Sequence, residues 1–440
     1  MHNEKPTVSV LTLGCKVNQY ESEAIAEAFE REGFLVQHTD EPCDVYVINT
    51  CTVTAESDRK AGQLARRMHL RNPKAVILLT GCFAQADPQA AARIAGVDDI
   101  CGNVDKLSVV NRAKELLKTG KPNAPTLRIG DVNTAPFEPM EITHFDRTRA
   151  YVKIEDGCEN RCAYCAIPGA RGRVRSKPLA DVVREVTGLV KGGCREVVLT
   201  GIETASWGRD LQDVGLADLL EAVDAIPGIG RIRLGSLDPS LMKDDFVRRI
   251  AALHSLAPHF HISMQSGSSR VLAAMKRKYN RDQALAGIQR LRAAFSDLEL
   301  TTDFIVGFPG ETDADFAETV DMARQAEFLS MHVFAYSKRA GTIAATLPDQ
   351  ISKAVKKERS AALMAVAEEL HQKRLENALK TPTRRVLFET YENGMAIGHT
   401  DTFLEVCAPS PVPLRSKLGT VTLLCVEGDR LMAQLNEVEP

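Results

Sequence analysis

Residues Thr7 to Leu13 (Thr-Val-Ser-Val-Leu-Thr-Leu) form an apolar run short enough for a buried strand, and Gly14-Cys15 follows at once. Apolar residues at Ala24, Ile25, Ala28 and Phe29 then repeat at helical spacing, predicting a helix over 21–31 that Gly33 stops. A second strand, 45–48, runs into Asn49-Thr50-Cys51, and a basic helix with Arg59, Lys60, Arg66 and Arg67 comes after it. A third strand, 75–79, runs into Thr80-Gly81-Cys82. The junction of strand and cysteine thus recurs at intervals of 36 and 31 residues, each about the length of one βαβ unit. Right-handed crossovers lay such strands parallel, with their carboxyl ends on one edge. Cys15, Cys51 and Cys82 are therefore expected to converge, although small cysteines filling tight strand-to-helix turns would leave the same spacing. Cys43 and Cys101 stand at no such junction and read as core or loop thiols.

Residues 121–148 are rich in Pro, Asn and Thr and lack a sustained period, which predicts a linker. Beyond it, strands at 151–154, 196–199, 231–234, 259–264, 301–306 and 331–336 alternate with helices at 179–191, 216–225, 241–253, 269–275, 282–295 and 313–326. Six parallel strands with crossover helices suffice for a partial (β/α)6 barrel and fall short of eight. A long helix over 352–379 leads to short apolar stretches at 386–388, 403–407, 421–426 and 431–435, separated by Gly and Pro, the pattern of a small antiparallel β-barrel. The fold class is α/β, with an N-terminal parallel α/β domain over 1–120, a linker over 121–148, a barrel core over 149–375 and a small β-barrel over 376–440.

Composition narrows the function. At 440 residues the chain needs two or three cores. With 44% hydrophobic and 26% charged residues and a net charge of -3, it is no strongly basic protein that coats nucleic acid, though local basic patches remain open. The last sixty residues carry 5 Lys and Arg against 8 Asp and Glu, which restrains a nucleic-acid reading of the small barrel. The start, Met1 to Pro6, lacks the layout of a signal peptide, and no apolar run approaches the ~20 residues a bilayer span needs. A cytoplasmic protein is expected. Eleven cysteines in a reducing compartment point to metal or redox chemistry over disulfides.

The densest chemistry lies at Gly157 to Pro168, where Cys158, Cys162 and Cys165 stand in the spacing C-x3-C-x2-C. Three thiolates on one loop can hold three corners of a cubane cluster and leave one iron open. A zinc site would want a fourth ligand, and none is near in sequence. Three buried core thiols are the other alternative, at odds with the hydrophilic neighbours Glu159, Asn160 and Arg161. Candidate cofactor contacts are Glu203, Ser236, Gln265 and Gly307, which follow predicted barrel strands. Each motif is an ordinary turn when taken alone. In an extended segment Arg171, Arg173, Arg175 and Lys177 would share a side and could track a phosphate backbone, unless the stretch is a solvated loop. His259 and His261 are assigned no role, and no Walker loop or dinucleotide glycine fingerprint is present.

The cysteine loop, with Tyr164 just before its third thiol, resembles the signature of the radical S-adenosylmethionine enzymes. That resemblance implies a 4Fe-4S cluster on Cys158, Cys162 and Cys165 and reductive cleavage of S-adenosyl-L-methionine at its open iron. Leu-Gly-Cys15-Lys-Val-Asn-Gln, Asn-Thr-Cys51-Thr-Val-Thr, Thr-Gly-Cys82 and Ala-Arg-Gly-Arg at 170–173 then resemble the motifs of the methylthiotransferase family over essentially the whole chain. What this implies is a second, auxiliary 4Fe-4S cluster on Cys15, Cys51 and Cys82, a TRAM-like terminal barrel, a tRNA substrate and an external one-electron donor of flavodoxin or ferredoxin type. The Cys15-Lys-Val-Asn-Gln run and the basic stretch look most like the branch that converts threonylcarbamoyladenosine at position 37 of tRNA to its 2-methylthio derivative. Other branches act on isopentenyladenosine in tRNA or on an aspartate of a ribosomal protein. Two rivals remain: a radical methyltransferase with a cobalamin domain, expected to hold about four irons where this reading expects about eight, and a redox-sensing RNA-binding protein that releases no deoxyadenosine.

Overall fold

The structure, a computed structural model, describes residues 5–37, 41–145 and 147–439. Met1 to Glu4, on which the reading of the chain's start rests, and Asp146 of the expected linker lie outside them. The chain forms two compact units. One is drawn from the residues up to Thr143 with Lys153–Lys177 and Ser337–Ala345, the other from His144–Val152, Pro178–Tyr336 and the residues from Thr346 on.

The first unit is built on β1 (Thr7–Thr12), α1 (Lys16–Arg31), β2 (Leu35–Val36), β3 (Val45–Thr50), α2 (Ala55–Arg71), β4 (Val76–Gly81), α3 (Cys82–Ala86), α4 (Pro88–Ala92), β5 (Asp99–Cys101), α5 (Ser108–Thr119) and β6 (Thr126–Arg128). Its sheet runs β2-β1-β3-β4-β5-β6, and every neighbouring pair is parallel. All residues of β3 and β4 are buried, as befits central parallel strands covered on both faces. Apolar clusters fill both faces: Tyr46, Ile48, Ile77 and Leu79 pack with Ala61, Ala65 and Met68 of α2, while Val45, Val47, Val76 and Leu78 pack with Ile25, Phe29 and Val109.

Three expectations change here. α1 begins at Lys16, five residues before the expected start, because Asn18, Glu21 and Ser22 are polar yet buried and so break the apolar pattern. The expected linker contributes β6, a full member of the sheet. Cys101 does end a strand, β5, but its thiol lies in the core against the carbonyls of Val104 and Asp105. Cys43 is a core thiol as read, donating to Gln37 Oε1 at 3.0 Å.

Next in the chain, β7 (Ala150–Lys153) enters a sheet of the second unit, and the antiparallel pair β8 (Glu155–Asp156) and β9 (Arg175–Ser176) brackets the cysteine loop and α6 (Ile167–Arg171) in the first. The second unit continues with α7 (Leu179–Lys191), β10 (Glu196–Thr200), α8 (Leu216–Asp224), β11 (Arg231–Leu234), β12 (Ser236–Leu237), α9 (Asp244–Ala251), β13 (His259–Gln265), α10 (Ser269–Ala274), α11 (Arg281–Ala294), β14 (Glu299–Val306), α12 (Asp313–Ala326) and β15 (Ser330–Ala335). Two ladders result, β11-β10-β7 and β12-β13-β14-β15. They part at Gly235, whose N–H still donates to Leu199 O at 2.7 Å, so one run of chain serves β10 on its first half and β13 on its second. The six expected strand positions are all filled.

α13 (Lys353–Ala378) packs on β15 and leads to β16 (Thr383–Glu392), β17 (Met395–Thr400), β18 (Glu405–Pro409), β19 (Leu418–Glu427) and β20 (Arg430–Val438), a closed barrel in the order β16-β17-β18-β20-β19. Closure leaves no sheet edge exposed. The barrel is antiparallel except at β18 and β20, which pair parallel. No helix among the described residues is long and apolar enough to cross a membrane.

At the amino end of β10, buried Glu196 faces three guanidiniums: Arg231 and Arg233 at 2.8 Å each and Arg149 at 3.0 Å. Burial alone would raise this carboxyl, but Arg233, Arg231 and Arg149 hold it at about 2. Burial among the other cations lowers Arg233 to about 10, so both partners stay charged at neutral pH. An unfolded glutamate titrates near ~4.3, so the unfolded chain takes up this proton first. The stabilisation, on the order of 3 kcal/mol, is whole above roughly pH 5 and lost as pH falls through about 2. Glu196→Gln is expected to lower the urea midpoint at pH 7 and to flatten its decline between pH 5 and 2, measured by circular dichroism.

Candidate iron-sulfur centres

Parallel pairing of β1, β3 and β4 sets Cys15, Cys51 and Cys82 just past three adjacent strand ends. Side chains stitch those ends together. Asn18 Nδ2 donates to Leu13 O at 2.7 Å and to Thr50 O at 2.9 Å, Asn49 Nδ2 donates to Asn18 O at 2.9 Å, and Thr50 Oγ1 donates to Thr80 O at 2.6 Å. Gly14, at φ +109°, lies so close to Cys51 that a Cβ on it would stand 2.7 Å from Cys51 Cβ. Gly81, at φ +95°, would bring a Cβ to 2.5 Å from Thr50 O. Both glycines are demanded by a left-handed turn and by close approach together.

The thiols sense each other. Burial pushes Cys51 up to about 11, with the charges of Cys82 and Cys15 adding to the rise and the Val53 N–H opposing it. Cys15 keeps an open face to solvent, yet the protein packed around it raises its pKa; Arg171 opposes that rise and Cys82 adds to it. The adjacent parallel strands, Gly14 against Cys51 and Arg171 joining Cys82 Sγ to Asn18 bring the three junctions together, as the βαβ spacing predicts. No three Cys, His, Asp or Glu side chains among the described residues are close enough to hold a single metal ion. A cubane asks for wider spacing, because each thiolate binds a different iron.

Cys158, Cys162 and Cys165 line a cavity of about 590 Å³ together with Arg161, Arg173 and Thr342. That volume lies in the range of small-molecule sites, so the three sulfurs and the space before them fit a cluster with a ligand on its open iron. Gly157 makes the loop's entry possible: at φ +86°, a Cβ there would fall 1.9 Å from Arg173 O. From the loop, α6 packs against α3, the helix that begins at Cys82.

Sequence reasoning missed the charges beneath these sulfurs. Arg171, fully buried at the end of α6, donates Nε–H to Cys82 Sγ at 3.1 Å, Nη1 to Glu21 at 2.5 Å and Nη2 to Asn18 Oδ1 at 2.7 Å. Glu21 also pairs with Lys106 and with Lys153 at 2.8 Å, and Lys153 reaches Asp156 at 2.7 Å. Burial opposes the charge on Glu21, but Arg171, Lys106 and Lys153 hold it well below the usual carboxylate range. Burial likewise opposes Asp156, and Lys153 and Arg171 bring it to about 2. The signal available in the sequence was Lys153 and Glu155 inside an apolar strand run; Glu21, one of four glutamates on α1, gave none.

This network corrects the reading of Arg171, Arg175 and Lys177 as a nucleic-acid contact. The three are buried: Arg175 donates to Arg171 O at 2.8 Å and Lys177 to Met140 O at 2.9 Å. Buried guanidiniums engaged with protein carboxylates and carbonyls have no face left for phosphate. The segment is not one extended stretch, since α6 ends at Arg171 and Gly172 turns at φ +73°. Arg173 alone of the four is exposed.

In the second unit, Glu203 lies beyond β10, Gln265 ends β13 and Gly307 follows β14. Gln265 holds φ +66°, rare for a residue with a side chain. Gly307 N–H donates to buried Glu311 at 2.7 Å, so its carbonyl is what it can offer a ligand. Ser236 is the exposed first residue of the two-residue strand β12, level with His261 in the ladder.

A partial parallel α/β barrel together with a C-x3-C-x2-C loop defines a radical S-adenosylmethionine protein. The Radical SAM superfamily matches residues 152–323, and a family described as uncharacterized protein family UPF0004 matches residues 7–102. The chain is 38% identical over 424 residues to the threonylcarbamoyladenosine tRNA methylthiotransferase MtaB of Bacillus subtilis, covering 95% of this chain and 94% of that one. It is 38% identical over 406 residues to the MtaB of Thermotoga maritima, covering 91% and 90%. A tRNA-2-methylthio-N(6)-dimethylallyladenosine synthase of Acidothermus cellulolyticus is 37% identical over 371 residues, 83% of this chain and 74% of that one. Among solved structures, the radical S-adenosylmethionine methyltransferase TsrM of Kitasatospora setae shares the fold at TM-score 0.57 and 17% identity, over 78% of this chain and 77% of that one. The chain belongs to the radical S-adenosylmethionine tRNA methylthiotransferase family. A 4Fe-4S cluster and S-adenosylmethionine come with that membership.

Asn18 caps two buried carbonyls and accepts from Arg171, so Asn18→Ala is expected to destabilise the first unit by about 2–4 kcal/mol, read as a drop in the urea midpoint.

Proposed function

We propose that the protein is a methylthiotransferase that converts threonylcarbamoyladenosine at position 37 of tRNA to its 2-methylthio derivative. The observation that carries this reading is the set of Cys15, Cys51 and Cys82 gathered at one sheet edge, in a chain that matches MtaB proteins nearly end to end. The first two MtaB relatives are matched over 94% and 90% of their own length and the Acidothermus cellulolyticus synthase over 74%, which favours the threonylcarbamoyl substrate.

Cys158, Cys162 and Cys165 would hold the cluster that accompanies S-adenosylmethionine, and Cys15, Cys51 and Cys82 a second 4Fe-4S cluster. When bound, these groups supply homolytic activation of a C–H bond, sulfur delivery and methyl donation. This chain's own residues do the placing. The loop thiols line one cavity, and Asn18, Asn49 and Thr50 tie together the strand ends that carry the other three. Glu203, Ser236, Gln265 and the Gly307 carbonyl are the groups at or near strand ends that we assign to S-adenosylmethionine. Arg173 remains the member of the basic stretch open to RNA. We place the domain divisions at 1–120, 149–375 and 376–440, with 121–148 between the first two; β6 of that stretch and the cysteine loop of 153–177 join the first compact unit. A cytoplasmic location and an external flavodoxin- or ferredoxin-type donor complete the proposal.

After anaerobic reconstitution, the wild-type protein is expected to bind about eight irons per chain and each single-triad variant about four. Cys162→Ala should abolish deoxyadenosine formation. Cys51→Ala should retain deoxyadenosine formation and lose the methylthiolated nucleoside, measured by mass spectrometry of digested tRNA. Equal loss of both activities in Cys51→Ala would argue against the division of labour, and a 2-methylthio product carrying a dimethylallyl group would reassign the substrate.

A further inference from the structure

Charged side chains beneath Cys82 are held out of water. Arg171, Lys106, Lys153 and Arg175, exposed by 0%, 1%, 2% and 5%, face the carboxylates of Glu21 and Asp156, and Glu138 also faces Lys153 and Lys106. A buried guanidinium is costly unless its N–H groups are answered. The geometry shows how those of Arg171 are answered. Both terminal nitrogens of Arg171 are engaged by Glu21, Asp156 and Asn18, which clamp the guanidinium plane, and its Nε–H is aimed at Cys82 Sγ 3.1 Å away. The clamp is made of residues from α1 and β8, so two separate elements converge on α6 to orient one N–H at one sulfur.

We propose that Arg171 is a positioning residue for the N-terminal cluster. It donates a hydrogen bond to the Cys82 sulfur and, through that bond and its own charge, raises that cluster's reduction potential by stabilising the more negative, reduced form. Hydrogen bonds to sulfur and local net charge are the levers a protein has on such a potential. Arg171 lies six residues beyond Cys165, so the loop that carries one sulfur set also supplies the charge that tunes the other. This inference rests on the reading of Cys15, Cys51 and Cys82 as cluster ligands.

The test uses the full chain with the loop set removed, C158A/C162A/C165A, so that any cluster is the N-terminal one. About four irons and sulfides per chain uphold the underlying reading, and none would sink that reading whatever Arg171 does. In this background Arg171→Lys keeps the charge and most of the volume but not the fork. Arg171→Gln removes the charge. At four irons per chain, redox titration followed by electron paramagnetic resonance should show the midpoint displaced to more negative potential in Arg171→Lys and further in Arg171→Gln. Unchanged midpoints in both variants would overturn the proposal. A measurement without substitution at Arg171 guards against variants that fail to load: with arginine nitrogen isotopically labelled, pulsed resonance of the reduced cluster should detect one weakly coupled arginine nitrogen, and its absence would overturn the proposal equally.

Discussion

Parallel pairing of three strands is the constraint from which the rest of the first unit follows. β1, β3 and β4 end on one edge because each crossover returns the chain in the same direction, and that edge is where their cysteines stand. Proximity alone would not hold the thiols apart at a useful spacing. Asn18 bridging Leu13 and Thr50, and Thr50 reaching Thr80, convert three loose strand ends into one rigid rim. The rim is the open edge of an α/β sheet, where such folds place their ligands.

Beneath the rim lies an arrangement that ordinary stability does not favour. Charged side chains of both signs share a dry interior. Replacing buried ion pairs by apolar residues is often neutral or stabilising, so networks of this kind are better explained by what they orient than by what they contribute to folding. Here they orient Arg171 toward Cys82. In the second unit a comparable knot around Glu196 sits at the amino end of a barrel strand, the end that stabilises the fold, away from the carboxyl ends where Gln265 and Gly307 lie.

The elements that were legible are those whose burial follows a simple period. The helices at 179–191 and 313–326 and the strand at 231–234 agree with the structure to the residue, because the apolar positions of each recur at its element's period even where, as with Arg231 and Arg233, polar side chains are buried between them. Where buried polar residues stand at an element's start, the period does not show the boundary. α1 was read five residues short since Asn18, Glu21 and Ser22 look solvent-facing in sequence and are not. β2, β5 and β6 have two or three residues each, too few to show any alternation, and they exist because a neighbouring strand offers them a ladder. The same limit misplaced the basic stretch: four cations at alternate positions read as one exposed face, and only the turn at Gly172 and the carboxylates of α1 and β8 decide that three of them point inward.

By itself the sequence determined the two sulfur sets, the strand-and-helix order of the large α/β region and the family, because covalent spacing and hydrophobic period are local properties that survive without coordinates. Tertiary structure decided which polar groups are buried together. That outcome depends on partners 85 to 150 residues away, as with Glu21, Lys106 and Arg171, and no local pattern records such a distance. Desolvation makes an unpartnered charge costly, and only the assembled fold shows which partner answers it.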